Sequence, residues 1–291
     1  MGWRTVVISK RAKLDLKLGS VVIRSEDEIK KIHIDEISML MVESTAVSIT
    51  AALIAELVKH KVRVIFCDET RSPLSEIQPL HGCFDSTLKI RNQIGWDKYY
   101  KELIWTEIVS EKIRNQYKHL LKLGLAEANL LLGYLDNIEF NDITNREGHS
   151  AKVYFNALFG KEFSRNRDNA VNAALNYGYS IILSAFNREV SNLGYLTQLG
   201  LFHDNMFNFF NLSCDLMEPF RTIVDEEVVK MNPKMFEKEH KYQLVALLNK
   251  EVVINSKTET LSNAIRIYCK SVCDALDNKN ISLIRFVRNE L

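Results

Sequence analysis

No Cys-x-x-Cys pair occurs in this sequence, and its five cysteines, Cys67, Cys83, Cys214, Cys269 and Cys273, are odd in number. That pattern argues against a disulfide framework and leads us to expect a reducing, cytoplasmic compartment. No apolar run approaches the ~20 residues of a membrane span, and the opening Met-Gly-Trp-Arg-Thr lacks a signal peptide's apolar core. A chain without membrane segments is expected. There is no phosphate-cradling Gly-rich loop, no G-x-S-x-G elbow and no H-E-x-x-H, which removes the common nucleotide-binding, serine-hydrolase and zinc-protease chemistries. Neither charge sign dominates: 38 Lys and Arg stand against 37 Asp and Glu, so nucleic-acid binding has no overall basic footprint. Charge is uneven locally. Between Arg146 and Arg188, Arg146, Lys152, Lys161, Arg165, Arg167 and Arg188 outnumber Glu147, Glu162 and Asp168 by six to three, which suits a phosphate-binding patch or an ordinary mixed-charge face.

What the chain has is 291 residues, 46% of them hydrophobic, enough for one large or two ordinary domains with a core that needs no disulfide. Its first part alternates short β-type runs with turns. Trp3 to Ile8 is rich in β-branched residues, and in Leu14-Asp15-Leu16-Lys17-Leu18 the apolar residues alternate strictly, so one strand face is buried. Gly19-Ser20 allows a tight turn into Val21-Val22-Ile23, predicting a hairpin. Ile37 to Val42 reads as a buried strand, Ser48 to His60 as a helix carrying Ile49, Leu53 and Leu57, and Val62 to Cys67 as another strand. Two of only four prolines, Pro73 and Pro79, fall with Gly82 in an aperiodic stretch, so residues 71–86 are expected to be a linker.

Beyond it the period is helical. Ile104, Ile108, Ile113, Tyr117 and Leu121 form one stripe of a long helix that Gly124 can end. Asn169 to Leu193 predicts a second, with Val171, Ala174, Leu175, Ile181 and Ile182 inward, and further helices are expected over Leu212 to Met231, Tyr242 to Leu248, Thr258 to Leu276 and the C-terminal end. The expected fold class is α+β: a small N-terminal β-rich domain over residues 1–70, a linker over 71–86, and a large all-helical domain over 87–291.

Three polar segments stand out in the helical part. In Asn145-Arg146-Glu147-Gly148-His149-Ser150-Ala151, a carboxylate is followed by a glycine and, one turn on, an alanine, a cleared surface beside which a ligand could sit. Equally, Glu147 can be a first-turn residue favoured by the helix dipole, with Asn145 as cap. His203, in Leu199-Gly200-Leu201-Phe202-His203, is either a ligand or a satisfied core histidine. In Cys214-Asp215-Leu216-Met217-Glu218-Pro219-Phe220-Arg221, helical spacing puts Asp215 and Glu218 on one face, and Pro219 predicts a kink or fresh start at Glu218. Such carboxylates among apolar residues must be paired or bind a cation, an internal salt bridge from Glu218 to Arg221 being the plain alternative. Two carboxylates and an imidazole suit Mg²⁺ or Mn²⁺ better than zinc.

Together with Arg167-Asp168-Asn169 and Leu175-Asn176-Tyr177-Gly178-Tyr179, these segments resemble, in order and spacing, the CRISPR-associated spacer-acquisition integrase family. The resemblance runs the length of the chain, because that family also joins a small β-domain to a helical catalytic domain. It implies that Glu147, His203 and Glu218 are catalytic metal ligands for Mg²⁺ or Mn²⁺, with Asp215 nearby. Arg146, Tyr154, Arg167, Asn169 and Arg221 then look like residues that bind DNA or brace the site. It implies insertion of new spacers by 3′-hydroxyl attack on repeat phosphodiesters in double-stranded DNA. It also implies a homodimer formed through the N-terminal domain, and a hetero-hexamer with a small ferredoxin-like partner. The length and the Met-Glu-Pro-Phe-Arg wording most resemble type II systems. Two other readings fit the same residues: a stand-alone metal-dependent nuclease on branched DNA, and a non-catalytic DNA-binding scaffold.

Overall fold

The computed structural model describes residues 2, 4–77, 79 and 83–288. Trp3 and Gly82, both used in the expectations above, lie outside them. The chain forms two compact units, Met1–Gly82 and Cys83–Leu291. Among the described residues no helix is long and apolar enough to cross a membrane.

The first unit contains strands β1 (Arg4–Ile8), β2 (Ala12–Lys17), β3 (Ser20–Arg24), β4 (Ile29–His33), β5 (Ile37–Val42), β6 (Val47–Ile49), β7 (Arg63–Cys67) and β8 (Pro73–Glu76), with helix α1 (Ala51–Lys59). They form two four-stranded sheets, in the orders β1-β5-β7-β8 and β4-β3-β2-β6. β5 pairs parallel with both β1 and β7, and all six of its residues are buried, as expected for a continuous apolar run inside a parallel sheet. Leu14, Val21, Ile34, Leu40, Leu53, Leu57 and Val64 meet in its core.

The predicted hairpin forms: β2 pairs antiparallel with β3, and Leu18 and Gly19, both with positive φ, make the two-residue turn. That turn takes Leu18 off the alternating face and leaves it exposed. Ser48 and Ile49 belong to β6, and the helix starts only at Ala51, because the Thr50 side chain caps it by accepting from the Leu53 amide. The stretch read as a linker contains a strand: β8 pairs antiparallel with β7, which places Pro73 at the first position of a strand, where no ladder donor is needed.

The second unit is built on α2 (Ser86–Ile94), α3 (Lys98–Lys122), α4 (Ala128–Asp136), α5 (Arg146–Phe159), α6 (Ala170–Asn192), α7 (Asn211–Met217), α8 (Arg221–Met231), α9 (Lys238–Ala246) and α10 (Leu261–Asp277). It is not all-helical. Strands β9 (Glu251–Ile254), β10 (Lys257–Thr260) and β11 (Val287–Arg288) form a three-stranded antiparallel sheet. Val252 and Ile254 alternate inward, and Asn255 and Ser256, both with positive φ, close the β9–β10 turn. The helix expected from Thr258 therefore begins at Leu261, capped by Thr260, and the described part of the C-terminal end is a short 3₁₀ turn and β11 rather than a helix.

α3 buries Ile104, Ile108 and Ile113 as expected, but turns Leu120 rather than Leu121 inward, because a stripe advancing by four or five drifts off a 3.6-residue period. α6 matches its expected span within one residue at each end and buries Ala174, Leu175, Ile181 and Ile182, while Val171 is only half-buried.

Candidate active site

Glu147 is held at the start of α5 by an unusual approach. Asn141, Asp142 and Asn145 all have positive φ, a conformation Asn and Asp tolerate best among residues with a side chain. Asp142, buried, accepts from the amides of Arg146 (2.7 Å) and Glu147 (3.0 Å), and Asn145 Oδ1 accepts from the Gly148 amide at 3.2 Å. The space beside Gly148 is not clear for a ligand: an added Cβ would lie 2.8 Å from Asn145 Oδ1. The glycine serves the cap.

His203 lies in the loop between α6 and α7, wrapped around Asp215. The amides of Leu201 (2.6 Å) and Phe202 (3.1 Å) donate to Asp215 Oδ2, and the His203 amide donates to Oδ1 at 3.2 Å. Gly200 makes this wrap possible, since a Cβ there would meet the His203 carbonyl at 2.3 Å and Asp215 Oδ2 at 2.7 Å. The imidazole Nδ1–H donates to Asp215 Oδ1 at 2.5 Å, because an ionised carboxylate can only accept. Nε2 is the nitrogen that could hold a metal, since metal-binding histidines commonly engage a carboxylate through their other ring nitrogen. That hydrogen bond, against the opposing effect of burial, raises the imidazole pKa above its ordinary value, with the Asp215, Glu218 and Glu147 charges adding to it. Trp105 stacks on Phe202 (4.6 Å between centroids) and meets His203 edge-on at 5.7 Å.

Glu218 occupies the break that Pro219 imposes. α7 ends at Met217, a 3₁₀ turn covers Glu218–Phe220, and α8 starts at Arg221. Asn115 of α3 donates to the Pro219 carbonyl at 3.0 Å, and buried Phe220 packs edge-on against Phe186 and tilted against Tyr268. Asp215 and Glu218 consequently diverge: Asp215 serves the His203 loop, whereas Glu218 Oε1 accepts from Arg221 Nε at 2.8 Å. The internal salt bridge weighed from the sequence is present.

The partner of Glu218 Oε2 is Lys112 Nζ, at 2.5 Å, and the same ammonium bonds Glu147 Oε1. Lys112 and Glu218 side chains are each 5% exposed, whereas Glu147 is 31% and His203 44% exposed. Burial alone would lower the Lys112 pKa, but Glu218 and Glu147 outweigh it and raise it. Burial alone would raise that of Glu218, but Arg221 and Lys112 outweigh it and hold the carboxyl at about 2. Both groups are charged at neutral pH. Among the described residues no three His, Cys, Asp or Glu side chains gather as a metal-holding group; Glu147 and Glu218 are joined through the Lys112 ammonium.

Sequence reasoning missed Lys112, although a signal was there. It follows Ile104 and Ile108 at four-residue steps, so the helix period assigns a lysine to the buried stripe, where only a paired charge is tolerated. The supporting residues are scattered. Tyr154 is fully buried and hydrogen-bonded to His119 Nδ1 at 2.6 Å, so it braces α3 against α5 and presents no surface to DNA. Asn169 caps α6, accepting from the Asn172 amide at 2.8 Å. Arg167 is exposed, 3.9 Å from Glu162, and Arg146 lies over the Tyr134 ring. Within the basic stretch, Arg165 is tied to Asn172 and Asn176 and half-buried, and Arg188 is 3.5 Å from Glu189; Lys152, Lys161 and Arg167 remain exposed.

This chain matches the family described as CRISPR associated protein Cas1 over residues 5–252. It is 35% identical over 234 residues to the CRISPR-associated endonuclease Cas1 of Neisseria meningitidis serogroup C (strain 8013), covering 79% of this chain and 76% of that protein. It is 24% identical over 259 residues to CRISPR-associated endonuclease Cas1 1 of Francisella tularensis subsp. novicida (strain U112), covering 78% of each. Its fold is similar to that of a casposase bound to integration product, with TM-score 0.75 and 19% identity over 97% of this chain and 92% of that one. It is also similar to a chain of a Cas6-RT-Cas1–Cas2 complex, with TM-score 0.76 and 19% identity, covering 99% of this chain but only 36% of that one. The breadth of the family match, with the likeness to the meningococcal protein, establishes that the chain belongs to the Cas1 family of CRISPR-associated endonucleases.

Proposed function

We propose that this chain is the catalytic integrase of CRISPR spacer acquisition, in a type II system, with Glu147, His203 and Glu218 as ligands of a Mg²⁺ or Mn²⁺ ion. The observation that carries this reading is the convergence of the Glu147 and Glu218 carboxylates, from separate helical segments, on one cationic position now held by the Lys112 ammonium. The donor set fits such an ion: two carboxylates, one kept ionised, and an imidazole whose Nδ1 is already engaged. A divalent ion bound there supplies polarisation of a phosphodiester oxygen and a lowered pKa for an attacking hydroxyl.

The chain's own residues supply the rest. Asp215 holds the His203 ring, so Nε2 keeps one direction. Arg221, a permanent cation beside Glu218, is placed to orient a phosphate oxygen for in-line attack by a DNA 3′-hydroxyl. The reaction is transesterification: the 3′-oxygen forms a bond to phosphorus as the repeat's own P–O bond breaks, and the hydroxyl proton passes to solvent.

In this reading the Met1–Gly82 unit mediates a homodimer, the Cys83–Leu291 unit carries catalysis, and two dimers flank a dimer of a small ferredoxin-like partner in the cytoplasm. The likeness to a chain of a Cas6-RT-Cas1–Cas2 complex and to a casposase bound to integration product supports a DNA substrate and such a partner. The test is a labelled duplex with free 3′-hydroxyls, incubated with the protein, Mn²⁺ and a supercoiled repeat-bearing plasmid. Joined product is expected, and Glu147→Gln, His203→Ala and Glu218→Gln should abolish it while remaining folded. Cleavage without joining would assign a stand-alone nuclease, and undiminished activity of the three variants would assign their side chains a structural role.

A further inference from the structure

Lys112 is a buried lysine in the interior stripe of α3, and it faces Glu147 from α5, Glu218 from the 3₁₀ turn, and Arg221 and Asp225 from α8. Lys112 and Arg221 offset the Glu147 and Glu218 carboxylates, and Asp225, whose pKa burial raises to about 7, adds only part of a further negative charge, so the cluster is close to electrical balance as it stands. A divalent ion added to it leaves a local excess of two positive charges. A phosphodiester removes one of them, and the remainder falls if the ammonium withdraws. Lysine suits that part, being a point charge on a flexible four-carbon stem, where an arginine would hold both carboxylates in a rigid fork.

We infer that Lys112 is a built-in counter-cation that fills the position between Glu147 and Glu218 and competes with the divalent ion, so that metal loading stays weak until DNA phosphate arrives. The lysine keeps the buried Glu218 and half-buried Glu147 carboxylates paired and pre-aligned in the metal-free site, and it disfavours a metal-charged enzyme that has no DNA to act on. This inference rests on the metal-site reading above and adds to it the reason that loading and DNA binding are coupled.

The experiment is an Mn²⁺ titration of the full chain, followed by the paramagnetic signal of free Mn²⁺, without DNA and with a short duplex, for the wild type, Lys112→Met, Lys112→Gln, Glu147→Gln and Glu218→Gln. Without DNA, both Lys112 variants are expected to bind Mn²⁺ at least ~10-fold more tightly than the wild type, about 1.4 kcal/mol. The duplex should tighten Mn²⁺ binding to the wild type by a larger factor than to either variant. Melting in EDTA and in Mn²⁺ gives a second readout: Lys112→Met should melt lower in EDTA, where Glu147 and Glu218 Oε2 lose the ammonium, and gain more from Mn²⁺ than the wild type gains. Should Lys112→Met fold only with Mn²⁺, that outcome supports the inference, and Lys112→Gln supplies the affinity. Equal or weaker Mn²⁺ binding by the Lys112 variants would overturn it. If those variants match the wild type while the Glu147 and Glu218 variants lose binding, the counter-cation fails and the metal site stands. If the Glu147 and Glu218 variants bind as the wild type does, both fail.

Discussion

A single oxygen of Asp215, Oδ1, accepts from both the imidazole and the backbone amide of His203, at 2.5 and 3.2 Å. With the amides of Leu201 and Phe202 on its other oxygen, this fully buried carboxylate is the post around which the loop is wound. Asp215→Asn replaces one acceptor with an NH₂ facing N–H donors and leaves a buried donor unpaired. A destabilisation of about 1–3 kcal/mol is expected, measured as a lower denaturant midpoint, together with loss of DNA joining as the imidazole loses its orientation. Unchanged stability would mean that the loop does not depend on this carboxylate.

Gly148 and Asn145 give a second, separable test. Gly148→Ala brings a methyl group into the Asn145 side chain that caps α5, and loss of that cap should cost about 1 kcal/mol. Asn145→Gly keeps the positive φ that the position requires and removes the obstructing side chain. In that background Gly148→Ala should cost nothing further, so thermal unfolding of the four proteins forms a non-additive cycle.

Gly178 faces α8 and α9, and a Cβ there would lie 2.4 Å from Val224 Cγ1 and 3.2 Å from Leu244 Cδ2. Gly178→Ala therefore overpacks α6 against both helices, at about 1–3 kcal/mol. Val224→Ala should recover part of that loss in the double variant, although it destabilises the wild type by opening a cavity. Equal penalties in the two backgrounds would place the strain elsewhere.

Two aspartates should titrate with opposite effects on stability. Burial alone would raise the Asp277 pKa, but it is held below its ordinary value by hydrogen bonds from Trp96 Nε1 (2.9 Å), Tyr195 (2.7 Å) and Lys89 (3.2 Å). Its folded-state pKa is lower than its unfolded one, so its contribution is present above about pH 4 and disappears as pH falls through the folded-state value. The wild type's advantage over Asp277→Asn should be largest at neutral pH and close below pH 4. Asp225 is the reverse: burial raises its pKa to about 7, against the hydrogen bond from Tyr179 and the Arg221 charge. Its contribution is complete below about pH 4 and is lost as pH rises towards 7, so wild-type stability relative to Asp225→Asn should fall over that window. Urea unfolding from pH 3 to 8 checks both.

Sheet β10-β9-β11 was invisible because its strands are four, four and two residues long, too short for a period to emerge, and β11 reaches its partner from more than thirty residues away. The break at Pro219, in contrast, was legible, because proline's lost donor and its clash with the preceding residue act locally. The same holds for Asn145 as cap and for the long run of α6, whose signals lie within a few residues of their effect.

By itself the sequence determined the strand-rich and helix-rich parts, the kink at Glu218 and which acidic and imidazole residues deserved notice, since periodicity, capping and proline chemistry act over a few neighbours. Only the tertiary structure decided what those residues face. Asp215 turns to His203, three residues before Glu218 turns to Arg221, because the helix ends between them. Lys112 joins Glu147 to Glu218 because α3 carries its one buried ammonium between α5 and the Pro219 turn; the helix period marks that lysine as inward, but its partners come from two distant segments, which no local pattern names.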